Sequence, residues 1–294
     1  MFFVDREPAV TQPATIRLAL TEATATLTAI STTPRLDAEL LLAHTTGWSR
    51  AQLLAHSTDP LTAPIATRYA TYIARRCTGE SVAYITQHRE FYGHAFYVDA
   101  RVLVPRPETE LLVDIALDAA RRIEPAVIVD IGSGSGCIGV ALAHAQAAPM
   151  IVAVDISADA LAVTAINRDR HHLGPQIHLV QADLCMGLSP VQMIVSNPPY
   201  VMDDDGDADV RQHEPHLALF GGDDDGAAVY RRLAALLPLY LRAPGFFGCE
   251  IDPRQEHIVC DLLGSAFPHG RIDVHHDLAG HARVVSLWID GTPE

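Results

Sequence analysis

The sequence predicts an α/β protein, a mostly parallel sheet with helices between its strands, preceded by a small all-α bundle and a linking β-hairpin. Three observations predict it. Short apolar runs alternate with helical patterns from Ala126 onward. Apolar residues recur at helical spacing between Thr15 and Gly79. Between these regions lies an aromatic segment interrupted by glycine, Phe91-Tyr92-Gly93-His94-Ala95-Phe96-Tyr97-Val98.

In the first region Ile16, Leu18, Ala19, Leu20 and Leu27 share one helical spacing, as do Leu36, Leu40 and Leu41 after Pro34. Gly47 ends that helix, and Ser49 caps a short one through Leu54. Pro64 stands near the start of a longer helix ending at Cys77-Thr78-Gly79. Short links between several helices read as a bundle that binds a partner or packs on a second domain. From Ala83 to Val104 the period changes, and the aromatic segment reads as a hairpin joining two domains. The expected domains are residues 1–80, a linker 81–104, and an α/β domain 105–294.

Pro105-Arg106-Pro107-Glu108-Thr109-Glu110 opens a helix with Leu111, Leu112, Ile115 and Leu117 apolar, and Arg121-Arg122 in its last turn, where the dipole favours cations. Strands are expected at Ala126–Asp130, Ile151–Asp155, Ile177–Gln181, Met193–Ser196, Phe246–Ile251, Arg271–His275 and Val284–Ile289. Ser157 reads as an N-cap, Asp159 as a first-turn acid and Gly174 as the close of that helix. Asp252-Pro253 is another N-cap followed by proline at the first helical position.

Composition narrows the function. Net charge is −15, and every basic residue is arginine. That balance disfavours stable nucleic-acid binding, which needs a basic stripe. No apolar stretch reaches the roughly 18–20 residues of a membrane span. The N-terminal Met1–Pro8 lacks the pattern of a secretory signal, so the chain reads as cytoplasmic. Cys77, Cys137, Cys185, Cys249 and Cys260 are scattered without a CxxC, which argues against disulfides and a cysteine zinc site.

Two motifs carry chemistry. Val127-Ile128-Val129 runs into Asp130-Ile131-Gly132-Ser133-Gly134-Ser135-Gly136, a glycine loop between strand and helix that lets a ligand approach the backbone. Asp155, closing the next strand, can accept both ribose hydroxyls of a nucleoside. Asp183 can accept an adenine amino group, with Leu184 packing on the ring. Gly134 to Gly139 also fits the GxGxxG of dinucleotide enzymes. Against that reading, an extra Gly-Ser precedes the pattern. Asp130 would also oppose a pyrophosphate, but suits the amino group of a methionine.

The second motif, Asn197-Pro198-Pro199-Tyr200, follows the run Met193–Ser196. An amide or exocyclic amine nitrogen is a poor nucleophile because its lone pair is delocalised. A site that accepts both N–H hydrogens turns that lone pair toward an electrophile. Asn197 offers a side-chain carbonyl and Pro198 a backbone carbonyl, with the two prolines stiffening the segment. Tyr200 can stack on the flat target. In this order the motifs point to methyl transfer from S-adenosylmethionine to a planar nitrogen.

These residues resemble the peptide chain release factor glutamine methyltransferases, the HemK/PrmC family. The resemblance is carried by Tyr84-Ile85, Arg89-Glu90-Phe91-Tyr92-Gly93, Val104 to Glu110 and Asn197 to Tyr200. It continues through Asp209-Val210-Arg211, Glu214-Pro215, Ala218-Leu219, Gly226, Asp277-Leu278-Ala279-Gly280 and Arg283-Val284-Val285. It implies a Rossmann-like seven-stranded methyltransferase domain and a helical domain that meets the release factor. It also implies methylation of the glutamine amide in the Gly-Gly-Gln motif. By analogy, Gly132 to Gly136, Asp155, Leu184 and Asn197 would contact the methyl donor, and Asn197 to Tyr200 the glutamine. Leu184 stands where the family is often aromatic.

Other patterns point to less. Asp203, Asp205 and Asp207 mimic calcium-loop spacing, but Ala208 stands where glycine is required. His213 and His216 bracket Glu214-Pro215 without a third ligand, and His171-His172 and His275-His276 read as surface residues, so no metal is expected. Competing readings are a ribosomal-protein glutamine methyltransferase, a DNA or rRNA amino-methyltransferase, and a non-catalytic nucleotide-binding module.

Overall fold

The computed structural model describes residues 15–145, 149–202 and 212–290. Met1–Pro8, Asp203, Asp205, Asp207, Ala208 and Asp209-Val210-Arg211 lie outside the described residues. The chain forms two compact units, Met1–Thr86 and Gln87–Glu294. No helix among the described residues is long and apolar enough to cross a membrane.

The first unit holds α1 (Ile16–Leu27), α2 (Pro34–Thr46), α3 (Arg50–Ala55), α4 (Ala63–Cys77) and α5 (Val82–Thr86). Local chemistry sets the ends. Thr15 caps α1 by accepting from Leu18 N–H, Gly47 closes α2 at φ 73°, and Ser49 and Gln52 form a capping box on α3. Leu20, Leu27, Leu41, Leu42 and Leu53 fill the core, where Tyr69 donates its hydroxyl to Ala38 O at 3.1 Å. α5 corrects the expectation that the helical pattern stops before Ala83. Val82–Thr86 makes one more helical turn, and Ile85 joins this core.

The second unit opens with the predicted hairpin, β1 (Arg89–Phe91) and β2 (His94–Phe96). α6 (Glu110–Ile123) follows, and its Glu110 and Asp114 accept from the backbone N–H and the hydroxyl of Tyr92. Next come β3 (Val127–Ile131), α7 (Cys137–His144), β4 (Met150–Asp155), α8 (Ala158–Arg170), β5 (Ile177–Gln181) and β6 (Val191–Ser196). β7 (Leu241–Glu250), β8 (Arg271–His276) and β9 (Ala282–Ile289) complete one seven-stranded sheet in the order β5-β4-β3-β6-β7-β9-β8. Of the seven strands, β9 alone runs opposite in direction to the other six.

All seven strand expectations are met to within a few residues. One helix end is not. α8 stops at Arg170, and His172 rather than Gly174 takes the left-handed conformation. The sheet core is built on Val129, Ile131, Ile194, Phe247, Leu233 and Leu287, all essentially inaccessible.

Candidate active site

β3 and β6 are parallel neighbours, and Ile131 pairs with Ser196. The glycine loop and the Asn-Pro-Pro segment therefore leave the sheet side by side. Ser196 fastens the junction, its buried hydroxyl donating to Ile131 O at 2.9 Å.

On the glycine side, Gly132 and Gly134 adopt φ of 70° and 55°. A Cβ built at either would meet nothing closer than 3.9 Å, so the volume these residues leave empty belongs to the cavity. Asp155 holds the loop, with Oδ2 accepting from Gly134 N–H and Oδ1 from Ser157 N–H, both at 2.9 Å. Burial pushes its carboxyl up, and the three N–H groups of Ser157, Gly134 and Ile156 oppose that. Each carboxylate oxygen keeps a lone pair for a ligand hydroxyl.

One face of α8 supports this loop from behind. Thr164 donates its hydroxyl to Gly134 O at 2.8 Å. Fully buried Asn167 donates to Ser135 O at 2.8 Å and Tyr97 O at 2.9 Å, and accepts from Tyr97 N–H at 2.7 Å. Gly136 has a different task from its neighbours. A Cβ there would lie 2.8 Å from Thr164 Cγ2, so glycine lets the loop press against α8.

On the other side, Asn197 donates from Nδ2 to Thr109 Oγ1 at 3.2 Å. Thr109 lies in the Pro107–Thr109 turn before α6. Burial pushes up the carboxyl of buried Glu250; Tyr200 donates to its Oε1 at 3.0 Å, and Oε2 has no hydrogen-bond partner among the described residues. Arg106, also on the cavity wall, pairs at 2.6 Å with Glu214, which accepts from Val104 N–H as well.

The structure brings most of the predicted residues to one cavity. Gly132, Ser133, Gly134, Ser135, Asp155, Asp183, Leu184, Asn197, Pro198 and Pro199 line it. Asp183 is joined there by Arg232 at 2.6 Å. Three predicted residues stand off the wall. Gly136 packs on α8, and Tyr200 turns its hydroxyl inward to Glu250. Asp130 is fully buried, with Oδ2 accepting from Gly139 N–H at 3.1 Å and Oδ1 unpartnered among the described residues. Burial raises its carboxyl to about 7. Sequence reading missed Thr109, Thr164, Asn167 and Glu250. The glycine cradle and the free acceptor capacity of Asp155 fit S-adenosylmethionine.

Comparison with known proteins agrees. Residues 19–86 match the PrmC N-terminal domain model, and residues 107–213 match the methyltransferase small domain model. The release factor glutamine methyltransferase of Koribacter versatilis is 42% identical over 224 residues, 74% of this chain and 79% of that protein. That of Chlorobaculum tepidum is 38% identical over 248 residues, 80% of this chain and 84% of that protein. A methyltransferase from Pyrococcus furiosus shares the fold at 12% identity with a TM-score of 0.51, covering 75% of this chain and 99% of that one.

Proposed function

This chain belongs to the release factor glutamine methyltransferases, and on that premise we propose how its residues place the substrate amide. The enzyme methylates the side-chain nitrogen of a release factor glutamine, in our reading that of the Gly-Gly-Gln motif. Bound S-adenosylmethionine supplies an electrophilic methyl group on a sulfonium. Gly132 to Ser135, Asp155, Asp183 and Leu184 form its cradle, and Asp155 accepts the ribose hydroxyls. Asp130 acts from behind the loop.

The observation that carries the proposal is the commitment of Asn197 Nδ2 to Thr109. A hydroxyl can donate or accept, so Thr109 alone would not fix the amide. Here its oxygen accepts from Asn197 Nδ2 at 3.2 Å. In this arrangement Asn197 presents its amino end to Thr109 and its carbonyl Oδ1 to the substrate. Oδ1 and the Pro198 carbonyl accept the two glutamine N–H hydrogens and turn the nitrogen lone pair toward the donor. Tyr200 donates its hydroxyl to Glu250, a contact the expected stacking role did not include. No strong base is required, because an alkylated amide nitrogen is acidic and loses its proton readily.

The helical unit is assigned to recognition of the release factor. The test uses labelled methyl donor with purified release factor, a ribosomal protein and nucleic acid in parallel. Label should enter the release factor alone. A release factor whose target glutamine is replaced by glutamate should stay unlabelled, since a carboxylate has no N–H for Asn197 and Pro198. A methyl ester on that variant would contradict the geometry.

A further inference from the structure

Three histidines from separate elements meet beside the hairpin: His94 on β2, His144 at the end of α7, and His171 just beyond α8. We propose that they form a binding site for a divalent transition-metal ion, zinc in the first instance. One ring nitrogen from each lies within 4.8 Å of the others. Nε2 of His144 and Nδ1 of His171 are 3.2 Å apart. Two nitrogens bound to one tetrahedral zinc at about 2.0–2.1 Å stand roughly 3.3 Å apart.

The second observation fixes a tautomer. His171 Nε2 lies 2.9 Å from Ala95 O. A carbonyl only accepts, so Nε2 carries the hydrogen and Nδ1 keeps its lone pair, directed at His144. A backbone carbonyl on the far nitrogen is the usual support of a metal-bound histidine. Without an ion, His144 donates Nε2–H to that lone pair. With one, its hydrogen moves to the exposed Nδ1 through solvent, and neutral imidazoles bind with no net proton release.

His94 needs the largest adjustment. Its ring stacks on His144 with centroids 4.1 Å apart and planes 15° from parallel. A shared ion requires it to turn about its side-chain bonds so that a nitrogen faces inward. An all-imidazole donor set selects zinc, nickel or copper over magnesium and calcium. Such an ion would tie the hairpin to the ends of α7 and α8, away from the residues that line the cavity.

The test is calorimetric titration of the full chain with zinc chloride near neutral pH, in a buffer that does not chelate. One site per chain is expected, with affinity reduced at least about tenfold, or ~1.4 kcal/mol, by His144→Ala and by His94→Ala. The exposed control His257→Ala should bind as wild type, and magnesium should give no heat. Cobalt(II) should give the strong visible absorption of a tetrahedral ion in wild type and His257→Ala and not in His144→Ala. Zinc should raise the thermal unfolding midpoint of wild type and not of His144→Ala, whose circular dichroism checks folding. Zinc bound equally by wild type and His144→Ala would overturn the site, and an unaffected His94→Ala would overturn its three-histidine form.

Discussion

The two walls of the cavity are held by different means. The glycine loop is held through its backbone, with Gly134 N–H on Asp155, Gly134 O on Thr164 and Ser135 O on Asn167. The Asn197 wall is held through side chains, Asn197 Nδ2 on Thr109 Oγ1 and the Tyr200 hydroxyl on Glu250. A backbone cradle fixes a shape and tolerates changes of side chain along it. A side-chain hydrogen bond fixes which end of an amide faces the cavity, and losing its partner frees that amide to turn. The backbone cradle suits holding a cosubstrate, and the Asn197 contact suits presenting an acceptor to the N–H groups of a weak nucleophile.

If the comparison is right, substitutions on the two walls separate affinity from rate. Asn197→Ala should show the largest effect, slowing single-turnover methylation by about two to three powers of ten at saturating donor, the scale of losing one preorganised polar contact. Donor affinity should stay nearly unchanged. A variant working within a few-fold of wild type would reduce the motif to a rigid turn.

Thr109→Val tests the side-chain contact, since it keeps shape and removes the hydroxyl that accepts from Asn197. Asn197 can then flip, and the rate should fall by about tenfold or more, in line with the ~1–3 kcal/mol of an unpaired buried group. Donor binding measured by calorimetry should again be preserved. Equal losses of rate and donor affinity would show the walls to be one unit.

Asp155→Ala should do the reverse. Donor affinity should weaken by roughly 1.5–3 kcal/mol, the range for hydrogen bonds to a charged acceptor, and the single-turnover rate at saturating donor should change little. Unchanged affinity in a folded variant would remove Asp155 from the site.

The smallest effect concerns Asp130, whose folded carboxyl is raised to about 7 from 3.8. A raised carboxyl stabilises the fold when protonated. That contribution is present below about pH 4 and is lost as pH rises through about 7. Asp130→Asn should therefore be at least as stable as wild type in urea unfolding at alkaline pH, and wild type should gain on it as the solution is acidified toward pH 4. Parallel pH curves would place a partner on Oδ1.

The strands, the glycine loop and the Asn-Pro-Pro segment were legible because each announces itself locally, by apolar runs, by φ-permissive glycines and by paired prolines. Thr109 and Asn167 were not. Thr109 sat in a recognised segment, but only the fold brings it to Asn197 across 88 positions. Asn167, within α8, looks in sequence like any polar residue on a solvated face, yet it is fully buried. His171 and His275 were read as surface residues because neighbouring histidines usually are. Each instead reaches a partner on another element, Ala95 O and Ser286 Oγ. Tyr200 was assigned to the substrate because aromatic rings stack, and the buried Glu250 that claims its hydroxyl lies 50 positions away.

The pairing of Ile131 with Ser196 acts as a ruler with coarse divisions. Parallel strands slide past one another in steps of about 3.3 Å per residue. A slip of one residue would exchange the two faces of β6, both of which are buried. A slip of two would restore the faces but carry Asn197 about 6.6 Å along the sheet relative to Gly132. The spacing between methyl source and amide is thus quantised, with no neighbouring value that still works. A lineage altering the reach of this enzyme has to lengthen or reshape what lies beyond Asn197, because the ladder beneath it offers no half-step.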